Sequence, residues 1–246
     1  MDFFQVTFLA VLQGISEWLP ISSSGHLVLA QTWLEIEGNL AFDIFLHLAS
    51  LLVIVLFFRK QIIEIAQHGL RQTGDKKNWW WYIVLSSLPT ALIGFYFYSL
   101  EDSIRTPQTV SLALIFTSIL LLSTKFFRGE KELNWKFALI LGLVQGLAVL
   151  PGLSRSGAVI AAALLLGIKK ERAFEYGFIV AVPAIFGSFL LTFKDLDWSN
   201  LYLWGFLLTA IVSYLSLIFL KTLIKRDYFY LFFIYTFLLA IIIKII

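Results

Sequence analysis

Gln13-Gly14-Ile15-Ser16-Glu17-Trp18-Leu19-Pro20-Ile21-Ser22-Ser23-Ser24-Gly25-His26 sets a carboxamide, a carboxylate, a row of hydroxyls and an imidazole into an otherwise apolar start of the chain. A second stretch repeats it. Shifting the sequence by 132 residues lays Gln13-Gly14 on Gln145-Gly146, Ser22 on Ser154 and Ser24-Gly25 on Ser156-Gly157; farther on it lays Phe42 on Phe174 and Ala49 on Ala181. One gap-free offset of this kind is what an internal duplication leaves, and membrane folds are often built that way. Glu17 and His26 occur only in the first copy and Arg155 only in the second.

The surroundings of both motifs are those of a membrane protein. With 59% hydrophobic and 14% charged residues and a mean hydropathy of +0.86, a chain of 246 residues cannot hide its apolar surface in a water-soluble globule. There is no cysteine, which excludes disulfides, thiol nucleophiles and thiolate metal sites. The apolar start lacks a basic leader and runs straight into Gln13 and Glu17, so it reads as mature structure. Trp79-Trp80-Trp81-Tyr82 reads as an interfacial anchor.

Apolar runs at 42–58, 80–98, 108–124, 173–193, 201–220 and 228–246 are long enough to span a bilayer. The motif segments, 4–34 and 137–167, are broken midway by Pro20 and by Pro151-Gly152. Such breaks free backbone hydrogen-bonding groups that lipid cannot satisfy, which predicts protein-enclosed re-entrant hairpins. The expected fold is therefore an all-α polytopic membrane protein with an inverted-topology repeat. Each half is a re-entrant helix hairpin plus three transmembrane helices, giving six spans. The chain is one membrane domain over 1–246, with repeat one at 1–130 and repeat two at 131–246. Connections 59–79, 125–136, 168–172 and 221–227 hold 15 of the 19 Lys and Arg residues, whereas 35–43, 99–107 and 194–200 hold only Arg105 and Lys194. The basic set is expected in the cytoplasm. The first hairpin then enters from outside and the second from the cytoplasm, and their tips meet within the membrane. The polar part of the 59–79 connection, Gln67 to Lys77, is the expected mobile segment, and Pro89 and Pro183 are expected helix kinks.

The tips carry the chemistry. Ser22, Ser23, Ser24 and Gly25 open a helix after Pro20, and Ser154, Ser156 and Gly157 do so after Pro151. Free amides at two facing helix N-termini make an anion site. Arg155 is the only Lys or Arg between Lys136 and Lys169, and a guanidinium at that depth requires an anionic partner, Glu17 or a phosphate ligand. Gln13 and Glu17 share a helix face at i, i+4. Glu17 serves either as proton acceptor or, with Gln13, as a ligand to a divalent cation. His26 is the expected proton donor to a leaving oxygen, or a nucleophile. The serines offer hydroxyls for attack or for phosphate binding.

Blander roles stand beside these. Glu17 can be read as a structural partner of Arg155, each serine as a helix cap, His47 as a packing histidine or a neighbour of the site, and Asp43 and Glu175 as interfacial groups. An inverted-repeat transporter or flippase for a lipid anion would share the architecture without hydrolysis.

Gln13-x-x-x-Glu17, Pro20-x-Ser22-Ser23-x-Gly25-His26 and Pro151-Gly152-x-Ser154-Arg155-Ser156-Gly157 resemble the signature motifs of the undecaprenyl-diphosphate phosphatase family, membrane enzymes also called bacitracin-resistance proteins. The resemblance covers essentially the whole chain, with Gln13 where the family admits Glu or Gln. It implies hydrolysis of undecaprenyl diphosphate to undecaprenyl phosphate, the carrier lipid of cell-wall synthesis, in the bacterial plasma membrane. It also implies dependence on a divalent cation, Mg2+ or Ca2+, and active residues Glu17, Ser22, Ser23, His26 and Arg155. The scheme favoured from sequence has Ser23 attack phosphorus with Glu17 as base. Arg155 and the helix amides stabilise charge, and His26 serves the leaving oxygen. A His26 nucleophile or a metal-activated water would use the same residues. Expected partners are the polyprenyl diphosphate lipid, membrane lipids and a second copy in a homodimer, with no nucleic acid. The site is expected to open to the outer face.

Overall fold

The computed structural model describes residues 1–36, 39–126, 129–196 and 198–245. Arg128, one of the basic loop residues counted above, and Ile246, at the end of the last expected span, lie outside them. The described residues are helical, and their one β-bridge joins Lys131 to Ile168.

The first motif forms α1 (Phe3–Ser16) and α2 (Ser23–Trp33). It is followed by α3 (Leu40–Phe57), α4 (Arg59–Arg71), α5 (Trp79–Tyr98), the one-turn α6 (Glu101–Ile104) and α7 (Pro107–Ser123). The second motif forms α8 (Trp135–Leu147) and α9 (Arg155–Leu165), followed by α10 (Lys170–Ile179), α11 (Ala181–Thr192), α12 (Asn200–Lys225) and α13 (Phe232–Ile245). The motif helices have 14, 11, 13 and 11 residues. At 1.5 Å per residue each falls well short of the roughly 30 Å hydrocarbon core, so neither hairpin arm crosses the membrane alone.

Among the described residues five helices are long and apolar enough to cross: Leu40–Phe57, Trp79–Tyr98, Pro107–Phe126, Lys170–Asp195 and Asn200–Ile224. The chain is a multi-pass membrane protein. The sixth expected run is the shorter helix Phe229–Ile245, which opens with a 3-10 turn, Phe229–Leu231. The prolines also differ from each other. α5 runs through Pro89, whereas the helix around Pro183 is interrupted at Val180, which ends α10 and starts α11.

Lipid gives no hydrophobic drive for helix pairing, so close approach and polar contacts between helices do that work. A Cβ on Gly14 would stand 2.7 Å from Val212 Cβ in α12, and one on Gly142 would stand 2.3 Å from the Ser86 carbonyl in α5. α1 thereby packs on α12, and α8 on α5. Hydrogen bonds reinforce these contacts, Thr209 Oγ1 donating to the Ala10 carbonyl at 3.0 Å and Ser86 Oγ to the Ala138 carbonyl at 2.6 Å. Ser86 and Tyr176, 2.6 Å apart, tie α5 to α10, and Ser50 and Ser213, 2.7 Å apart, tie α3 to α12.

All four basic connections meet at one end of the bundle. Lys76 joins Glu175 at 2.5 Å, Lys169 joins Glu132 at 2.7 Å, Arg172 joins Asp75 at 3.2 Å, and Lys170 joins Asp227. At the opposite end Arg105 reaches Asp43 at 2.6 Å.

Several expectations are corrected here. Much of the 59–79 connection is α4, because Ile65 is buried and Gly69 lets Trp80 lie against the helix. Lys76, in the segment expected to be mobile, is 4% exposed. It also bonds Glu64 at 2.7 Å, and that hydrogen bond holds the Glu64 carboxyl below its usual range. Trp79 is 3% exposed and packs edge-on against Tyr176, so only part of the aromatic run, notably exposed Trp81, can serve as an anchor. Asp43 and Glu175 are not free interfacial groups: both are sequestered in the ion pairs just described.

Candidate active site

The two hairpin tips interlock. α1 ends at Ser16, and through the turn that holds Pro20 the chain bends so sharply that Ser22 takes φ +70°, a region costly for a residue with a Cβ and often tied to functional sites. Two backbone amides hold it there: Ser22 Oγ accepts from Gly25 N at 3.3 Å in its own helix and from Gly152 N at 3.0 Å in the other hairpin. Gly25 is needed because a Cβ would lie 2.9 Å from Gly152 Cα, and Gly157 because one would lie 3.1 Å from Pro20 Cβ. Gly152 itself has φ +97° and abuts the Val110 carbonyl. Its own carbonyl accepts from Thr117 Oγ1 at 2.9 Å. Ser156 Oγ donates across the tips to the Trp18 carbonyl at 3.4 Å. Of the residues expected to bind substrate, Ser22, Gly25, Ser156 and Gly157 thus build the junction.

The reactive groups gather around Glu17, the residue that caps α1. It is 5% exposed. Its Oε2 accepts from Gln13 Nε2 at 2.7 Å and from Ser23 Oγ at 2.6 Å. His47 Nε2, from α3, stands 3.2 Å from the same oxygen and 3.4 Å from Ser23 Oγ. The other oxygen, Oε1, accepts from Arg155, the first residue of α9. Caps satisfy one amide in each tip helix, Gly25 from Ser22 and Gly157 from Ser154. The first amides of each turn are left for a ligand.

A cavity of about 630 Å³ opens over this cluster, and Glu17, Ser23, Ser24, His47, Ser154 and Arg155 line its polar end. Its walls are apolar side chains of α5 and α11, among them Leu92, Phe95 and Leu191, and its far end reaches Asp43, Tyr98 and Arg105. The polar end combines a hydroxyl bound to a carboxylate, a guanidinium and two helix N-termini, which suits an anionic electrophile such as phosphate. The walls suit an apolar chain.

His26 is elsewhere. It does not line the cavity; its Nδ1 is 2.7 Å from the Ser22 carbonyl and its Nε2 is 2.7 Å from the Tyr235 hydroxyl in α13. A carbonyl can only accept, so Nδ1 carries the proton and Nε2 accepts from Tyr235. By i, i+3 spacing His26 shares a helix face with Ser23, but its two ring nitrogens are engaged by the Ser22 carbonyl and the Tyr235 hydroxyl rather than turned to the cavity. The histidine beside Glu17 and Ser23 is His47. Sequence reasoning left it between packing and site; its signal was one imidazole in an apolar span, with no spacing to tie it to Glu17.

Gln13 and Glu17 adjoin, as a shared cation site would require, but both Glu17 oxygens are engaged, one of them by a guanidinium. Gln13 Oε1 is buried without a partner. Among the described residues no three His, Cys, Asp or Glu converge. Gln13 Oε1 is thus the side-chain oxygen left without a partner beside the engaged Glu17 carboxylate. Gln145, the repeat mate of Gln13, hydrogen-bonds Thr90 Oγ1 and the Val180 carbonyl, each at 3.2 Å.

Comparison with known proteins shows the family. Residues 6–242 match the family model described as Bacitracin resistance protein BacA. The chain is 38% identical to the undecaprenyl-diphosphatase of Methanobrevibacter smithii, over 92% of this chain and 91% of that protein. It is 38% identical to the undecaprenyl-diphosphatase of Methanosphaera stadtmanae, again over 92% and 91%, and 36% identical to that of Elusimicrobium minutum, over 96% and 95%. Matched along nearly its whole length, the chain belongs to the BacA bacitracin-resistance family.

Proposed function

We propose that this protein hydrolyses undecaprenyl diphosphate to undecaprenyl phosphate and inorganic phosphate, renewing the carrier lipid of cell-wall synthesis and so conferring bacitracin resistance. The observation that carries the reading is the 2.6 Å hydrogen bond from Ser23 to Glu17, with Arg155 on the other carboxylate oxygen, at the polar end of an apolar-walled cavity. The prenyl chain lies along α5 and α11, and the diphosphate takes the place beside the free amides of α2 and α9. Ser23 Oγ attacks the terminal phosphorus, Glu17 takes the hydroxyl proton, and the bond to the bridging oxygen breaks. Arg155 and the amides stabilise the charge on the phosphoryl oxygens. The proton reaches the departing lipid phosphate through His47, which is in hydrogen-bond reach of Glu17 and lines the cavity. Water then attacks the seryl phosphate, Glu17 accepting its proton, and Ser23 is restored as phosphate leaves. Any divalent cation would be brought by the diphosphate, with Gln13 Oε1, which has no partner beside the engaged Glu17 carboxylate, as the chain oxygen within its reach.

The architecture belongs to the same proposal. Two inverted halves, with α13 as the sixth crossing, account for α1 packing on α12 as α8 packs on α5, and for Gly25 meeting Gly152 as Gly157 meets Pro20. With the basic end in the cytoplasm, the cavity opens to the outer face of the plasma membrane. A pure transporter would have no use for a serine hydrogen-bonded to a buried carboxylate. Phosphate release from a C55 diphosphate by the purified protein, with and without chelator, tests the reading. Release expected from the wild type and absent in Ser23→Ala supports it; no release under either condition overturns it.

A further inference from the structure

A second cavity, of about 1100 Å³, lies at the basic end of the bundle between α3, α10 and α12, away from the catalytic cluster. Its walls include Leu56, Phe178 and Ile211; Leu56 and Ile211 are exposed, so the cavity is open sideways to lipid. Its rim carries Arg59, Lys60, Lys170 and Lys221. Lys170 is paired with Asp227. Among the described residues Arg59, Lys60 and Lys221 have no carboxylate partner, and Lys221 Nζ rests 5.2 Å from the Phe57 ring centroid. The acids on the rim are Glu171 and Glu175, and Glu175 is already held by Lys76 and Arg172.

A separate feature favours an anion at the same place. α4 begins at Arg59 and α10 at Lys170, and neither has a side-chain cap, whereas the helices of both hairpins are capped. Their first-turn amides reach the rim beside the unpaired cations. Positive charge therefore arrives at the mouth of one apolar groove from the unpaired cations of α4 and α12 and from the first-turn amides of α10, offset in part by Glu171 in that same turn.

The geometry points to a binding site for a phospholipid with a phosphate-monoester head, drawn from the leaflet at the basic end. A monoester presents three charged oxygens that α4, α10 and α12 can meet from separate directions. A diester head offers two, on one side, and a zwitterionic head carries its own cation to the rim. The acyl chains lie in the groove between α3 and α12.

The test uses the full-length protein released from nanodiscs in native mass spectrometry, offered phosphatidic acid, phosphatidylglycerol and phosphatidylcholine with the same acyl chains. Phosphatidic acid is expected to be retained about tenfold over phosphatidylcholine, and clearly over phosphatidylglycerol. The variant Arg59→Gln/Lys60→Gln/Lys221→Gln should lose that preference. Lys125→Gln/Lys131→Gln/Lys136→Gln, which removes equal charge elsewhere at the same end, should keep it. Ala210→Trp, which fills the groove without changing charge, should lower retention of all three lipids. Equal loss in both triple variants would reduce the effect to general surface charge and overturn the site. Equal retention of phosphatidylglycerol and phosphatidic acid would overturn the monoester assignment.

Discussion

Ser23 bonds Glu17 across the break between α1 and α2, hydroxyl to carboxylate at 2.6 Å, while its neighbour Ser22 spends its oxygen on two backbone amides. Adjacent residues of one type thus do different work. Ser23→Ala should cut phosphate release at least about a hundredfold and leave thermal stability in detergent unchanged. Ser22→Ala removes a helix cap and the bond to Gly152 and should cost about 1–2 kcal/mol. Thermal unfolding and turnover of the two variants, measured together, check this; a stable Ser22 variant or an active Ser23 variant would contradict the assignment.

The ion pair between Glu17 and Arg155 separates charge from shape. Arg155→Lys keeps a cation near the carboxylate and should fold normally, yet an ammonium cannot offer the planar fork that suits phosphate. Turnover should fall about a hundredfold with little change in melting temperature. Glu17→Gln leaves the guanidinium facing a neutral amide in a buried setting. It should lose activity and, in addition, about 3 kcal/mol of stability. Near-normal turnover by the Lys variant would remove Arg155 from the chemistry.

The two histidines invite a direct comparison. His47→Gln should slow hydrolysis about a hundredfold, the usual worth of a placed proton-transfer group. Tyr235→Phe, which removes the donor to His26 Nε2, should change turnover by less than about threefold if His26 only positions α2 against α13. Steady-state rates on a C55 diphosphate decide the matter, and the opposite ranking would return the proton-transfer role to His26.

Local rules read some of this site from sequence and missed the rest for physical reasons. Pro20 and Pro151 mark the breaks because a missing amide is visible in the residue itself. Gln13 and Glu17 share a face because i, i+4 spacing does not depend on the rest of the fold. Arg155 stood out because a guanidinium at membrane depth must be paired. His47, by contrast, reaches Glu17 only through the packing of α3 on the hairpin, and no short-range pattern encodes that distance. The direction of His26 depends on Tyr235, 209 positions away. Asp43 looked like a span-end acid until Arg105 and Gln31 closed on it from α6 and α2. Trp79 looked like an anchor until Tyr176 covered it.

Gly25 tests the junction of the tips. A methyl there would sit 2.9 Å from Gly152 Cα, against backbone that cannot swing aside as a side chain would. Gly25→Ala should force the hairpins apart, lower stability by about 1–3 kcal/mol and reduce turnover through displaced helix amides. Gly187→Ala, where a Cβ meets nothing within 4 Å, is the matched control for stability and should unfold as the wild type does.

Sidedness joins the charge pattern to the chemistry. The cavity runs from Glu17 toward Tyr98 and Arg105, at the end opposite the basic connections, and the proposal that its mouth lies on the outer face rests on the positive-inside rule. The chain has no cysteine, which makes single reporters clean. Ser99 and Glu130 are both exposed and serve for the two ends. Gly129 does not, because a Cβ there would strike the Gly167 carbonyl at 2.0 Å. In intact cells an impermeant thiol reagent should label Ser99→Cys and spare Glu130→Cys until the membrane is opened. Labelling of Glu130→Cys alone would turn the molecule over and move hydrolysis to the cytoplasmic leaflet.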